Sequence, residues 1–188
     1  MTKIAFDVAL LPPEKVMDAA ITLNQKYGPM FNLNKKDRLP HITLSQAVMD
    51  KTDLDKAIPK LGEIAGRFHP LRLKAEIVNE PATFLRVVMT KLLKELHQAV
   101  MDELEELVSY DVKAEFFLDD AVRESSIDYV HNFRTDAAFE SFDPHISIAV
   151  EQQIDDKHTQ SFTTDHLVLC HLGNYNTCRK ILWETRLK

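Results

Sequence analysis

Leu39-Pro40-His41-Ile42-Thr43-Leu44 and Asp143-Pro144-His145-Ile146-Ser147-Ile148 spell the same short pattern twice: proline, histidine, isoleucine, a hydroxyl residue, an aliphatic residue. Strand side chains alternate between faces, so each copy presents an imidazole and a hydroxyl on one side and drives its isoleucine into a core. Two copies facing each other supply two imidazoles and two hydroxyl donors. That set is what metal-free acid-base chemistry on a phosphodiester requires. The residues therefore read as a phosphoesterase site, with His41 and His145 as the catalytic pair and Thr43 and Ser147 as the donors to phosphate oxygens.

Outward from these motifs the chain alternates strands with amphipathic helices. Ile4 to Leu11 reads as a strand stopped by Pro12-Pro13 before a helix from Glu14 to Tyr27, whose Val16, Ala19, Ala20 and Leu23 share one face. A polar loop follows Gly28-Pro29 and leads into the first motif as a strand. Asp53-Leu54-Asp55 opens a second helix that ends near Gly62 to Gly66. Leu71 to Val78 and Thr83 to Met89 form a hairpin across Asn79-Glu80-Pro81. From Leu92 to Val108 a long helix carries Leu92, Leu93, Leu96, Val100, Leu104 and Leu107 on one face, against a solvated face of Lys and Glu. Between Asp111 and Asp143 the periodicity weakens, and Ser125-Ser126 marks a helix start that continues toward Phe139. Glu151 to Phe162 is polar and ambiguous, and the chain closes on strands His166 to Leu172 and Arg179 to Arg186.

Each half of the sequence thus holds strands, at least one helix and one motif, and the two histidines stand 104 positions apart. This predicts an α+β fold, a single bilobal domain over residues 1–188 with two pseudo-symmetric lobes of antiparallel sheet, flanking helices and a cleft between the motif strands. The 188 residues, 45% of them hydrophobic, are enough for such a core. A formal charge of −6 and a pI near 5.7 argue against a long duplex nucleic acid as partner and leave room for a small or terminal phosphate. There is no apolar run of membrane-spanning length and no leader pattern after Met1-Thr2-Lys3, which predicts a soluble, cytoplasmic protein with no membrane partner. Cys170 and Cys178 flank the bend Gly173-Asn174-Tyr175-Asn176 and could approach each other across two strands. Free, reduced thiols are the expectation for such a protein.

The motifs resemble those of the 2H phosphoesterase superfamily, whose two signatures are histidine, any residue, threonine or serine, then a hydrophobic residue. The resemblance extends to the opening strand ending in Pro12-Pro13, the Phe84 to Met89 strand running into the long helix, and the closing strands through Gly173 and Tyr175. Its nearest branch is the bacterial 2′-5′ RNA ligase and cyclic phosphodiesterase type, with a longer Asp111 to Asp143 segment than that branch carries. The resemblance implies a metal-independent phosphodiesterase or reversible RNA ligase acting on 2′,3′-cyclic or 2′-5′ phosphodiester bonds of RNA ends or small nucleotides. It implies no cofactor and no metal. For hydrolysis of a cyclic phosphate, His145 is the base and His41 the acid, and the reverse direction exchanges them. The alternative is a nucleotide- or RNA-binding module with vestigial catalysis.

A nucleotide needs a surface for its base, for which Phe6, Phe84 and Tyr175 are the aromatic candidates, with Arg86 adding charge near the phosphate. Core packing explains the two phenylalanines equally well. Lys35, Lys36 and Arg38 form a basic loop that either steers phosphate or is simply solvated. His69, His97, His131, His158, His166 and His171 have no partner spacing and read as surface or packed histidines. The sequence does not specify the physiological substrate or the oligomeric state.

Overall fold

A computed structural model describes residues 2–80, 82–155 and 159–188. Pro81 of the predicted hairpin turn and His158 lie outside the described residues, as does Met1. Among the described residues, eight strands form one continuous antiparallel sheet, flanked by four α-helices. The strands are β1 (Lys3–Leu11), β2 (Ile42–Asp50), β3 (Leu71–Val78), β4 (Phe84–Val87), β5 (His145–Ser147), β6 (Thr159–Thr164), β7 (His166–Gly173) and β8 (Thr177–Arg186), in the spatial order β6-β3-β4-β5-β2-β1-β7-β8. The helices are α1 (Glu14–Lys26), α2 (Leu54–Ala65), α3 (Lys91–Leu104) and α4 (Glu124–Asn132).

The two motif strands lie side by side at the middle of that order. Ile42 pairs with Ile146 across β2 and β5, and both are completely buried. Truncating a buried isoleucine of this kind costs about 2–5 kcal/mol, so the junction is a packing element as well as a hydrogen-bonded one. On one side of it stand β1, β7 and β8, on the other β4, β3 and β6. The lobes are therefore not the two halves of the sequence: the first and last strands share one lobe, and the middle of the chain builds the other. Antiparallel closure of β7 on β1 produces this interleaving.

β5 is only three residues long. Pro144, which has no N–H, precedes it, and Ala149, at φ 52°, breaks the extended run soon after it. β6 begins inside the polar stretch Glu151 to Phe162 and runs two residues past it, its exposed residues alternating with half-buried ones along an edge strand. α3 buries Leu93, Leu96, His97, Val100, Met101 and Leu104, whereas Leu92 is 48% exposed, so the predicted stripe is rotated slightly. Thr90 caps this helix by accepting from the Leu93 N–H at 3.2 Å. After α4 the chain widens into a π-type turn at Phe133–Ala137 and reaches Phe139 at φ 57°.

Among the described residues, no helix is long and apolar enough to cross a membrane. The expectation of free thiols is overturned: Cys170 and Cys178 are joined as a disulfide across β7 and β8, with Cα atoms 5.5 Å apart. Two register shifts in this hairpin bring the sulfurs together in a small core with Ala9, Leu11, Met17, Leu39 and Val168. A thiol assay on protein denatured without reductant is expected to find no free cysteine, and two titratable thiols would restore the reduced reading.

Candidate active site

Pairing of Ile42 with Ile146 sets the register of everything around it. In an antiparallel pair the flanking residues then oppose each other crosswise, His41 facing Ser147 and Thr43 facing His145. β4 extends the same rows, with Phe84 opposite Ser147 and Arg86 opposite His145. All six side chains therefore stand on one face of the sheet, opposite to the buried isoleucines.

His41 is held at both ring nitrogens. Nδ1 lies 2.6 Å from the Leu39 carbonyl and Nε2 lies 3.3 Å from Asp7 Oδ2. Both neighbours are acceptors, so the ring is best satisfied as an imidazolium. Burial, the largest single influence, lowers the His41 pKa, but the hydrogen bond and charge of Asp7 and the Leu39 carbonyl together outweigh it and raise the value above that of an ordinary imidazole.

Asp7 was not among the sequence candidates, and it sits fully buried in the middle of β1. Oδ2 accepts from Thr43 Oγ1 and from Gln46 Nε2, each at 2.8 Å, while Oδ1 has no partner among the described residues. Thr43 and Gln46 are three apart, and strict alternation would place them on opposite faces. A β-bulge resolves this: Val8 pairs with Ser45 and Ala9 with Thr43, so Leu44 is an extra residue that shifts the phase of β2 and lets both side chains reach Asp7. A lone acid inside Ile4-Ala5-Phe6-Asp7-Val8-Ala9 was the available signal, since a buried carboxylate must be paired.

His145 has the opposite bias. Its Nδ1 donates to the Asp143 carbonyl at 2.9 Å, which leaves the Nε2 lone pair free. Burial is the main cause that lowers its pKa, helped by the charges of His41 and Arg86, against the raising effects of the Asp143 carbonyl and carboxylate. Arg86 is tied to that carboxylate, Nη2 to Oδ2 at 3.1 Å, and is 40% exposed. The Phe84 ring packs on His145 with centroids 4.7 Å apart.

Two cavities flank the rows. Thr43 and His145 open onto a space of about 310 Å³ walled by Phe84, Tyr129, Phe133 and Phe142, with Asp136 and Asp143 at its edge. Much of that wall comes from the segment between Asp111 and Asp143. Tyr129 is 39% exposed, but its phenol is partly desolvated in this wall and faces the charges of Asp7 and Asp143, which together push it up to about 12. His41 and Ser147 border a much smaller space of about 20 Å³ beside Phe31 and Tyr175. Tyr175, at φ 60°, packs tilted against Phe31 with ring centroids 4.8 Å apart and lies under the Arg123 guanidinium at 4.7 Å.

The structure thus brings together His41, Thr43, His145, Ser147, Phe84, Arg86 and Tyr175. Phe6 is a correction: it is fully buried in the main core and cannot touch a ligand, because β1 is covered on both faces. Lys35 and Lys36 line a separate cavity with Pro12 and His166 rather than this cleft, and Lys35 pairs with Asp18 at 2.7 Å.

No protein-family model and no curated protein sequence matches the chain. Solved structures do. TT0787 of Thermus thermophilus matches with a TM-score of 0.61 at 15% identity, over 98% of each chain. The chain has that fold. LigT of E. coli in complex with NADP+ matches at 0.55 and 14% identity, again over 98% of both chains, and a structure described as a phosphoesterase matches at 0.53 and 14%, over 98% and 99%. LigT has also been solved with 3′-AMP, phosphate and ATP.

NMR titration of the two imidazoles checks the electrostatics directly. His41 is expected to titrate above, and His145 below, an unperturbed imidazole, which titrates at about 6.5. Asp7→Asn should pull His41 down while leaving His145 on its own side, and a His41 that titrates below His145 in the wild type would contradict the assignment.

Proposed function

We propose that this chain is a 2H-type phosphoesterase, a metal-independent phosphodiesterase or reversible RNA ligase acting on 2′,3′-cyclic or 2′-5′ phosphodiester bonds of RNA ends or small nucleotides. The observation that carries this reading is the crosswise pairing of two His–hydroxyl motifs whose histidines hold opposite proton biases. An acid and a base set diagonally on one face of a strand pair are what an in-line displacement at phosphorus needs, one imidazole for each apical oxygen. The nucleotide-bound LigT structures, which share the fold, agree with a small nucleotide as ligand.

His145 Nε2 removes the proton from the attacking water or ribose hydroxyl, and His41 delivers its Nε2 proton, held by Asp7 Oδ2 at the longer distance of 3.3 Å, to the departing ribose oxygen. His41 keeps its proton until then because Asp7 and the Leu39 carbonyl hold it. The reverse reaction starts from the opposite protonation state, which Asp7 disfavours. Ser147, exposed and opposite His41, donates its hydroxyl proton to a non-bridging oxygen. Thr43 does the same by turning away from Asp7, while Gln46 continues to satisfy that carboxylate. Tyr129, Phe133 and Phe142 enclose the side from which His145 meets its proton donor.

Turnover in EDTA on a panel of 2′,3′-cyclic nucleotides, ADP-ribose cyclic phosphate and 2′-5′ dinucleotides tests the proposal. Substituting His41→Ala or His145→Ala should each lower kcat by roughly 10²–10⁴-fold, and Ser147→Ala by about 10²–10³-fold. A folded wild type that binds 3′-AMP but turns over nothing on the panel would favour a binding module.

A further inference from the structure

His97 lies on α3, away from both motifs in sequence, and its ring is completely buried. Its Nδ1–H donates to the Leu44 carbonyl at 2.7 Å, and its Nε2 accepts from the Phe139 N–H at 2.8 Å. The ring also lies flat on Phe142, with centroids 3.9 Å apart and planes within 6°. Leu44 closes the first motif and is the bulge residue that lets Thr43 and Gln46 share Asp7. Phe139 and Phe142 belong to the run that leads straight into Asp143-Pro144-His145, and Phe142 walls the cavity beside His145.

We infer that His97 is a positioning residue that fixes the two histidine motifs relative to one another and to the cavity wall; this rests on the function proposed above. One planar ring spans the gap between the bulge of β2 and the approach to β5, with a donor on one edge and an acceptor on the other. Only the neutral tautomer with its proton on Nδ1 fits. A cation would set Nε2–H against the Phe139 N–H, and the other tautomer would mismatch both neighbours. Burial, which lowers the His97 pKa against the opposing pull of the Leu44 carbonyl, agrees with a ring that stays neutral. Phe139 needs such an anchor, because a bulky residue at φ 57° is strained and persists only where its surroundings hold it. Neither ring nitrogen is left free for substrate, so His97 acts through the groups it holds.

The test compares the full chain as wild type, His97→Phe and His97→Gln. Ring ¹⁵N shifts of the wild type should report a neutral ring protonated at Nδ1, and the Phe139 amide should be protected from hydrogen exchange. His97→Phe keeps the stack on Phe142 and loses both hydrogen bonds. It should expose the Phe139 amide and lower kcat/KM on a 2′,3′-cyclic nucleotide by up to about a hundredfold, mostly in kcat, and His97→Gln, which retains a donor and an acceptor, should recover about tenfold of that. The opposite tautomer or an unprotected Phe139 amide in the wild type would overturn the inference even where a variant fails to fold, and so would a folded His97→Phe with unchanged kcat. Absence of turnover in the wild type would sink the functional reading alone. The Thr43 and His145 resonances then decide: movement in His97→Phe supports the positioning role, and unmoved resonances overturn it.

Discussion

Pairing of Ile42 with Ile146 joins the lobes and builds the site in one step. With the two isoleucines buried beneath the sheet, alternation brings His41, Thr43, His145 and Ser147 up on the other face, and the antiparallel direction crosses them so that each histidine looks at the other motif's hydroxyl. A slip of one residue at this junction would bury the histidines and expose the isoleucines. The apolar core is what resists that slip. The chemistry of the face above is therefore specified by packing below it, and the short β5, bounded by Pro144 and Ala149, leaves little freedom for another register.

Asp7 gives the pair its polarity. Without a buried charge, two imidazoles in similar surroundings would titrate together and offer no preferred acid or base. A carboxylate sealed inside β1 carries a desolvation cost that His41, Thr43 and Gln46 offset, and the β-bulge at Leu44 is the device that lets two of these reach it from one strand. His145 has a backbone carbonyl on its Nδ1, an aromatic neighbour and opposing charges in Asp143 and Arg86, so burial decides its proton affinity. Environment, rather than residue type, separates the two roles.

Legibility followed the strength of the local signal. The motif strands, β1, β3, α1 and α3 announced themselves through alternation or helical periodicity, and the six residues gathered on the site's face were all visible as candidates. Asp7 escaped because a single acid in an apolar strand acquires meaning only once its neighbours across the sheet are known. Phe6 misled for a related reason: periodicity places it on a strand, but only the layers on both sides of β1 reveal that it is sealed in the core. His97 carried no pattern at all, since its partners lie 53 and 42 residues away. That each half of the chain holds one motif is legible from local pattern, whereas the interleaving of the lobes depends on the long-range closure of β7 on β1, which leaves no local signal. Cys170 and Cys178 were legible as neighbours across a hairpin, while their bond depends on register shifts within it.

The central claim is that a protonated His41, held by Asp7, and a neutral His145 work together. The pH dependence of kcat/KM for a 2′,3′-cyclic nucleotide in EDTA, for wild type beside Asp7→Asn, tests it most directly. Activity should rise as His145 loses its proton, at a pH below that of an ordinary imidazole, and fall as His41 loses its own at a pH above it. In Asp7→Asn only the alkaline limb should move, toward acid, narrowing the bell. An alkaline limb that stays in place, or an acid limb that moves instead, would contradict the account.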